Sequence, residues 1–172
     1  MATIREGTAD DAMAVGRVLV ESWRATYRGL VPDLHLDGLN NEQQAERWRK
    51  FLSTRIRMFV AEEAGEVVGF AGGGKIRRRC DDYDAELYAL YLLPDAQRKG
   101  TGSALLKALA RRLVEEGFRS LMVWVVESNS AVRFYEKSGA VRFAAEEMEI
   151  EGGKVPLVAY GWREMKQIVG AD

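Results

Sequence analysis

A lone cysteine, Cys80, leaves the chain without an internal disulfide framework, so its fold must rest on a buried core. There is one histidine, His35, and no His/Cys/Asp cluster has metal-ligand spacing, so no metal is expected. His35 falls in the 33–40 loop and reads as a surface residue. No apolar run reaches the roughly 18 residues of a membrane span, and the stretch Met1–Glu6 has no apolar signal core. No membrane partner is therefore expected, and a reduced cytoplasmic compartment is. Charge of either sign is not in excess, since 25 Lys and Arg stand against 26 Asp and Glu. No global field draws the protein to nucleic acid. Repeats, low-complexity tracts and Pro- or Ser-rich linkers are all absent. The 172 residues read as one domain, 1–172, long enough to bury roughly 70% of its unfolded surface.

What is present is hydrophobic patterning. Residues 2–6 read as a short strand, followed by a helix over about 9–27 with Ala12, Val15, Val18, Leu19 and Ser22 on one face. Gly29 and Pro32 end it, and a second helix covers about 41–52. Residues 56–63 and 66–73 alternate like strands around a turn at Ala64-Gly65. The polar stretch 74–83 reads as an exposed loop, and Cys80 within it has no base partner that would make it a nucleophile. A strand from Glu86 to Leu93 ends at Pro94. A helix over 101–116 sets Leu105, Leu106, Leu109 and Leu113 on one face. A nearly all-apolar strand at 119–126, a helix at 129–138 and two strands at 140–150 and 154–164 complete the order. The expected class is α/β: a mixed, mostly antiparallel central sheet of about seven strands flanked by about four helices.

The most informative segment is Gln97-Arg98-Lys99-Gly100-Thr101-Gly102-Ser103, between an apolar strand and an amphipathic helix. Glycines at 100 and 102 let the backbone approach a bulky anion. The first amides of the helix have no internal partners, and the helix dipole makes that end positive. Together these features suit a diphosphate. A dinucleotide fold would need a third glycine where Leu105 stands, and the Gly-Lys-Ser/Thr ending of a P-loop is missing.

Gln97, Gly100 and Gly102 resemble the Gln/Arg-x-x-Gly-x-Gly/Ala acyl-CoA signature of the GNAT N-acetyltransferase superfamily. Asn129-Ser130-Ala131-Val132-Arg133-Phe134-Tyr135-Glu136-Lys137-Ser138-Gly139-Ala140 is similar to that family's Asn-x-x-Ala-x-x-Phe-Tyr-x-x-x-Gly helix, with Ala140 where Phe is common. The order of elements agrees over nearly the whole chain.

The resemblance implies an acyl-CoA N-acyltransferase fold and an enzyme that moves acetyl from acetyl-CoA, its donor substrate, to a primary amine of a small molecule or protein. It implies that the strand before the cradle carries a bulge and splays from its neighbour. Pantetheine would pair with the backbone of Tyr91, Leu92 and Leu93, and the amide near Leu92 would polarise the thioester carbonyl. Gln97, Arg98, Lys99, Gly100, Thr101, Gly102 and Ser103 would hold the diphosphate. Asn129 would contact the cofactor, although Asn also suits a helix cap. Tyr135 would protonate the departing thiolate, with aromatic packing as the plainer role. Glu86 resembles the base glutamate of the histone-type acetyltransferases; a solvent-facing or arginine-paired strand residue is the alternative. Trp23 and Tyr27, one helical turn apart, would wall the acceptor groove or belong to the core. The carboxylates of Glu146, Glu147, Glu149 and Glu151 could draw a cationic amine or form a solvated face. A homodimer is the assembly that the resemblance implies. The competing expectation is a non-catalytic acyl-CoA-binding module.

Overall fold

The structure, a computed structural model, describes residues 1–170. Its strands are β1 (Thr3–Glu6), β2 (Arg57–Glu63), β3 (Glu66–Lys75), β4 (Ala85–Leu92), β5 (Leu121–Val126), β6 (Val141–Ile150) and β7 (Gly153–Trp162). They form one sheet in the order β1-β2-β3-β4-β5-β7-β6. Every neighbouring pair is antiparallel except β4 and β5. The mixed, mostly antiparallel seven-stranded sheet expected from the patterning is the one observed.

Two helices cover one face. These are α1 (Ala12–Tyr27) and α3 (Asn41–Leu52), which bury Val15, Val18, Leu19 and Trp48 against Met58, Val60 and Phe70 of the sheet. The other face takes α4 (Thr101–Glu115) and α5 (Ala131–Lys137). The stripe Leu105, Leu106, Leu109 and Leu113 packs there with Leu87, Val123 and Trp162, and each leucine is at most 1% exposed. Burying such a side chain stabilises the fold by about 1.5–3 kcal/mol before entropy is counted.

About four helices flank the sheet as expected, and two short ones are added among the described residues. The two additions are α2 (Asp33–Asp37) and α6 (Lys166–Val169), each too short to show a hydrophobic period. His35 is carried by α2 and packs on Trp23, ring centroids 5.6 Å apart, where a surface residue was expected. The first turn of the expected 9–27 helix is a 3-10 turn at Ala9–Asp11, closed by a Thr8/Asp11 capping box. The Ala64-Gly65 turn has φ of 51° and 81°, the doubly positive geometry that suits a two-residue hairpin. β3 runs on through Gly74 and Lys75, because both still pair with β4.

Helices α1 and α3 cross at Gly16. A methyl group there would lie 2.5 Å from the Asn41 carbonyl oxygen and 2.9 Å from the Ala45 nitrogen, both backbone atoms that cannot rotate away. Gly16→Ala is expected to cost about 1–3 kcal/mol. At roughly 2–4 °C of melting temperature per kcal/mol for a chain of this size, thermal unfolding will report it. An unchanged midpoint would mean that the two helices can separate freely.

Candidate active site

The site is made by a failure of strand pairing. β4 and β5 run parallel for three residues only, Ala85↔Leu121 to Leu87↔Val123. Beyond that point β4 stays with β3 as far as Leu92, and β5 stays with β7 as far as Val126. A bulge begins the divergence: Gly72 pairs with Ala89 and Gly73 with Leu87, which leaves Tyr88 as the extra residue on β4. The bulge and splay expected from the resemblance are therefore both present. The paired end is fastened by Asp84, whose carboxylate accepts from the Ser120 amide (2.9 Å), the Ser120 hydroxyl (2.8 Å) and the Arg119 amide (3.0 Å). Burial pushes the Asp84 carboxyl up, but these donors outweigh it and hold it below its ordinary value.

A cleft of about 1500 Å³ fills the gap and passes through the sheet from one side to the other. One wall is the free edge of β4. The Leu93 amide donates to Val68 at 2.9 Å. Bonded and open positions alternate along an antiparallel edge, so Tyr91 also faces β3 while Leu90 and Leu92 turn their backbone groups toward the gap. This corrects the expectation for Tyr91 and Leu93, whose backbones are committed to β3. The Leu92 carbonyl already accepts from Ser22 Oγ (3.0 Å) and Gln97 Nε2 (3.2 Å). Its amide is the group that the opening leaves available.

The cradle lies at one end of the cleft. Arg98 (φ 58°) and Gly100 (φ 83°) both adopt left-handed backbone, curling the loop into the start of α4. The first helical bond runs from Ala104 N to Gly100 O, so the amides of Thr101, Gly102 and Ser103 precede it. A methyl group on Gly102 would reach 3.4 Å from Leu92 and 3.7 Å from Phe134, occupying cleft space without a clash. Gln97, Arg98, Gly100, Gly102 and Ser103 line the cleft as expected. Lys99 and Thr101 do not: Lys99 is exposed outside it, and the Thr101 side chain is buried at 5% exposure under the helix.

Midway along the cleft stand three tyrosines. Tyr135 is 4% exposed, and burial, with the nearby Tyr91 phenol, pushes its hydroxyl well above the ordinary value. Burial likewise raises Tyr27 and Tyr91. Asn129 donates through Nδ2 to the Tyr27 hydroxyl at 2.8 Å, and its Oδ1 accepts from the Ala131 amide at 2.9 Å. Asn129 is thus a helix cap that also tethers α1 to α5. Trp23 and Tyr27 line the cleft and belong to the core at once, with ring centroids 4.4 Å apart. The Trp23 indole N–H is buried beside the Tyr91 phenol, ring centroids 6.3 Å apart.

The cleft is also lined by the 76–80 loop, β5 and β6. Glu86 lies here at 3% exposure. Of the two readings of Glu86, a base or an arginine-paired strand residue, the pairing is what the structure displays. Arg77 donates to it three times, from Nη2 (2.6 Å), Nε (3.2 Å) and the backbone nitrogen (3.1 Å). The 76–80 loop, expected to be merely exposed, is a wall of the site through Arg77, Arg78 and Cys80. Its signal in the sequence was the Arg77-Arg78-Arg79 run, whose place only the sheet topology reveals. The last hairpin contributes through Glu146 and Met148; its turn packs instead on Pro32 and Leu34 at Gly152. Glu146 pairs with Arg78 at 2.6 Å, and Glu147 and Glu149 pair with Lys154. Among the described residues no group of His, Cys, Asp and Glu could hold a metal ion, and no helix is long and apolar enough to cross a membrane.

The geometry has relatives. A model of the acetyltransferase (GNAT) family matches residues 18–140. The uncharacterised N-acetyltransferase YuaI of Bacillus subtilis is 39% identical over 170 residues, which covers 98% of this chain and 96% of that protein. Mycothiol acetyltransferase of Thermobispora bispora is 34% identical over 94 residues, 52% of this chain but 32% of that longer protein. Among solved structures, the PaiA N-acetyltransferase of Thermoplasma acidophilum in complex with coenzyme A matches with a TM-score of 0.71 at 22% identity, over 92% of this chain and 98% of that one. The yncA protein of Salmonella typhimurium, solved with its cofactor acetyl-CoA, matches with a TM-score of 0.74 at 21% identity, over 100% and 98%. At such identities the two structures share the fold.

Asp84→Ala removes the fastening at the paired end and is expected to cost roughly 1.5–3 kcal/mol near neutral pH. Because the native carboxyl sits below its ordinary value, its contribution is complete above about pH 4 and is lost as pH falls further. Denaturant titrations of the two proteins should therefore converge in acid. A gap that persists at pH 2 would show that the bonds do not depend on the carboxylate charge.

Proposed function

The chain belongs to the GNAT acetyltransferase family, and from that footing we propose that it transfers the acetyl group of acetyl-CoA to a primary amine by direct attack of the neutral amine on the thioester. One observation carries the reading. Next to a helix N-terminus with three amides ahead of its first bond, the Leu92 edge of β4 is unpaired in a cleft that also holds Tyr135. The residues present fit acetyl-CoA. An extended pantetheine arm finds a free strand edge, a diphosphate finds the amides of Thr101, Gly102 and Ser103, and Gly102 keeps open space that a side chain would fill.

In this reading acetyl-CoA supplies an activated acyl group, and the chain does the rest. The Leu92 amide faces the gap and can donate to a thioester oxygen as negative charge develops on it. Tyr135, kept protonated by burial, gives its proton to the departing thiolate. The amine must arrive neutral. For a lysine-like amine near pKa 10.4 that costs roughly 4.6 kcal/mol at pH 7. We assign this proton to water in the cleft and give Glu86 a positioning role, because its carboxylate is held by Arg77. Trp23 and Tyr27 wall the acceptor side.

Two measurements test the reading. Thiol release from acetyl-CoA with an amine acceptor should give a kcat/KM that climbs about tenfold per pH unit up to the acceptor's own pKa. No fall is expected below about pH 10, since Tyr135 stays protonated there. Tyr135→Phe should lower kcat by roughly 100-fold or more while CoA binding holds; an unaffected kcat would remove the acid role. Gly102→Val should fold normally yet bind CoA at least about tenfold more weakly. Equal affinity would move the cofactor out of this cleft.

A further inference from the structure

We propose that the amine acceptor is a zwitterion, a free amino acid or close analogue with an apolar side chain, and that Arg77 takes its carboxylate. This rests on the acetyl-transfer reading for the site and adds the acceptor's class to it. The charges lining the acceptor end are Arg77, Arg78 and Arg79 against Glu86 and Glu146, and Arg79 pairs with the exposed Asp81 at 3.1 Å. Both carboxylates are already taken, Glu86 by Arg77 and Glu146 by Arg78 at 2.6 Å each. A polyamine would find no unpaired carboxylate for its second ammonium and three guanidiniums in its way. An acceptor with a carboxylate of its own meets the opposite situation.

Arg77 is built as an anchor. Its Nε and Nη2 donate to the two oxygens of Glu86, whose side chain is 4% exposed, and its guanidinium lies 4.5 Å from the Tyr88 ring centre. Two of five N–H donors are spent, and those remaining lie on Nη1 and Nη2. They form a second parallel fork, the geometry that binds a carboxylate with two hydrogen bonds. The buried Glu86 fixes the plane of this fork, which accounts for a carboxylate at that depth without asking it to leave Arg77. The Tyr88 hydroxyl is itself held, donating to the Lys75 carbonyl. Around the anchor the wall is apolar and aromatic, with Ile76, Met122, Trp124 and Met148. Arg78 stacks over Trp124 at 5.5 Å and closes the outer side with Glu146. A lysine inside a protein offers no free carboxylate next to its amine, so it would leave the Arg77 fork empty.

The test is calorimetric titration of the protein saturated with CoA, which binds without turnover. The titrants are L-methionine, L-leucine, L-phenylalanine and L-tryptophan, the carboxamide of each, and spermidine. At least one amino acid is expected to bind about tenfold or more tightly than its own carboxamide, with spermidine weakest. Arg77→Ala should shrink that ratio to below about twofold, Arg77→Lys should restore part of it, and Glu86→Gln should weaken the amino acid but not the carboxamide. Carboxamides or spermidine binding as well as the amino acids to the unaltered protein would overturn the proposal, as would no binding of any amino acid. So would an Arg77→Ala protein that loses both ligands equally. An amino acid that binds with the expected ratio but never prompts thiol release would show a carboxylate subsite at Arg77 yet overturn the amino acid as acceptor, and thiol release with spermidine alone would do the same while leaving the transfer reading intact.

Discussion

Three residues of parallel pairing between β4 and β5 govern the molecule. If the two strands paired along their full length, the sheet would be continuous and there would be no cleft. If they did not pair at all, the β1-to-β4 block and the β5-β7-β6 block would have no ladder between them. The bulge at Tyr88 ends the pairing, and the Asp84–Ser120 bonds set where it begins. A bulge adds local twist and turns its strand away from a neighbour. Here it also reverses which side chains face which layer, so that Glu86 and Ala89 stand on one face and Leu87 and Leu90 on the other. One extra residue thus opens the gap and sets the carboxylate that holds Arg77.

The opening removes hydrogen bonds and core contacts from the middle of a sheet, and the surroundings compensate by rigidity. Ser22 from α1 and Gln97 from the cradle loop both donate to the Leu92 carbonyl, so that group of the open edge is satisfied from outside the sheet. Asn129 ties Tyr27 across the cleft, which joins the helix on one face to the helix after β5. Each phenol in the cluster is pushed upward by burial, so the cleft's centre stays uncharged over the ordinary pH range. An uncharged, partly dry centre is where a donor such as the Leu92 amide acts most strongly on developing charge.

The sheet was legible from periodicity because each strand and long helix had one clear apolar face, as at Leu105, Leu106, Leu109 and Leu113. The cradle was legible because left-handed backbone at Gly100 favours glycine and a glycine at 102 leaves cleft space that a side chain would take. Strand-edge parity was not. Whether Leu92 or Leu93 offers its amide depends on the register with β3, and a one-residue shift reverses it. The partner of Glu86 was hidden for a similar reason: Arg77 lies nine positions away on a loop whose path depends on β3 extending to Lys75. Lys99 and Thr101 belong to the motif by spacing but point elsewhere, because successive residues at a helix start face different directions.

A nearly neutral chain can still direct a charged substrate if its cleft is polarised, and this one is. Arg98, Arg133 and Lys137 line the cradle end, and no ion pair among the described residues occupies them. At the acceptor end Arg77 and Arg78 each hold a carboxylate. Exposed charges are screened over roughly 8–10 Å in physiological salt, so the two ends act separately on what lies beside them. Under the proposed reading the free cations meet the phosphates of the donor, while the neutralised pairs meet a small zwitterion that needs local geometry more than attraction. The same number of arginines at the acceptor end without Glu86 and Glu146 would draw the donor's phosphates to the wrong side of the sheet. The buried Glu86 and the half-buried Glu146 therefore, under that reading, keep the two ends of the cleft chemically distinct as well as holding the arginines in place.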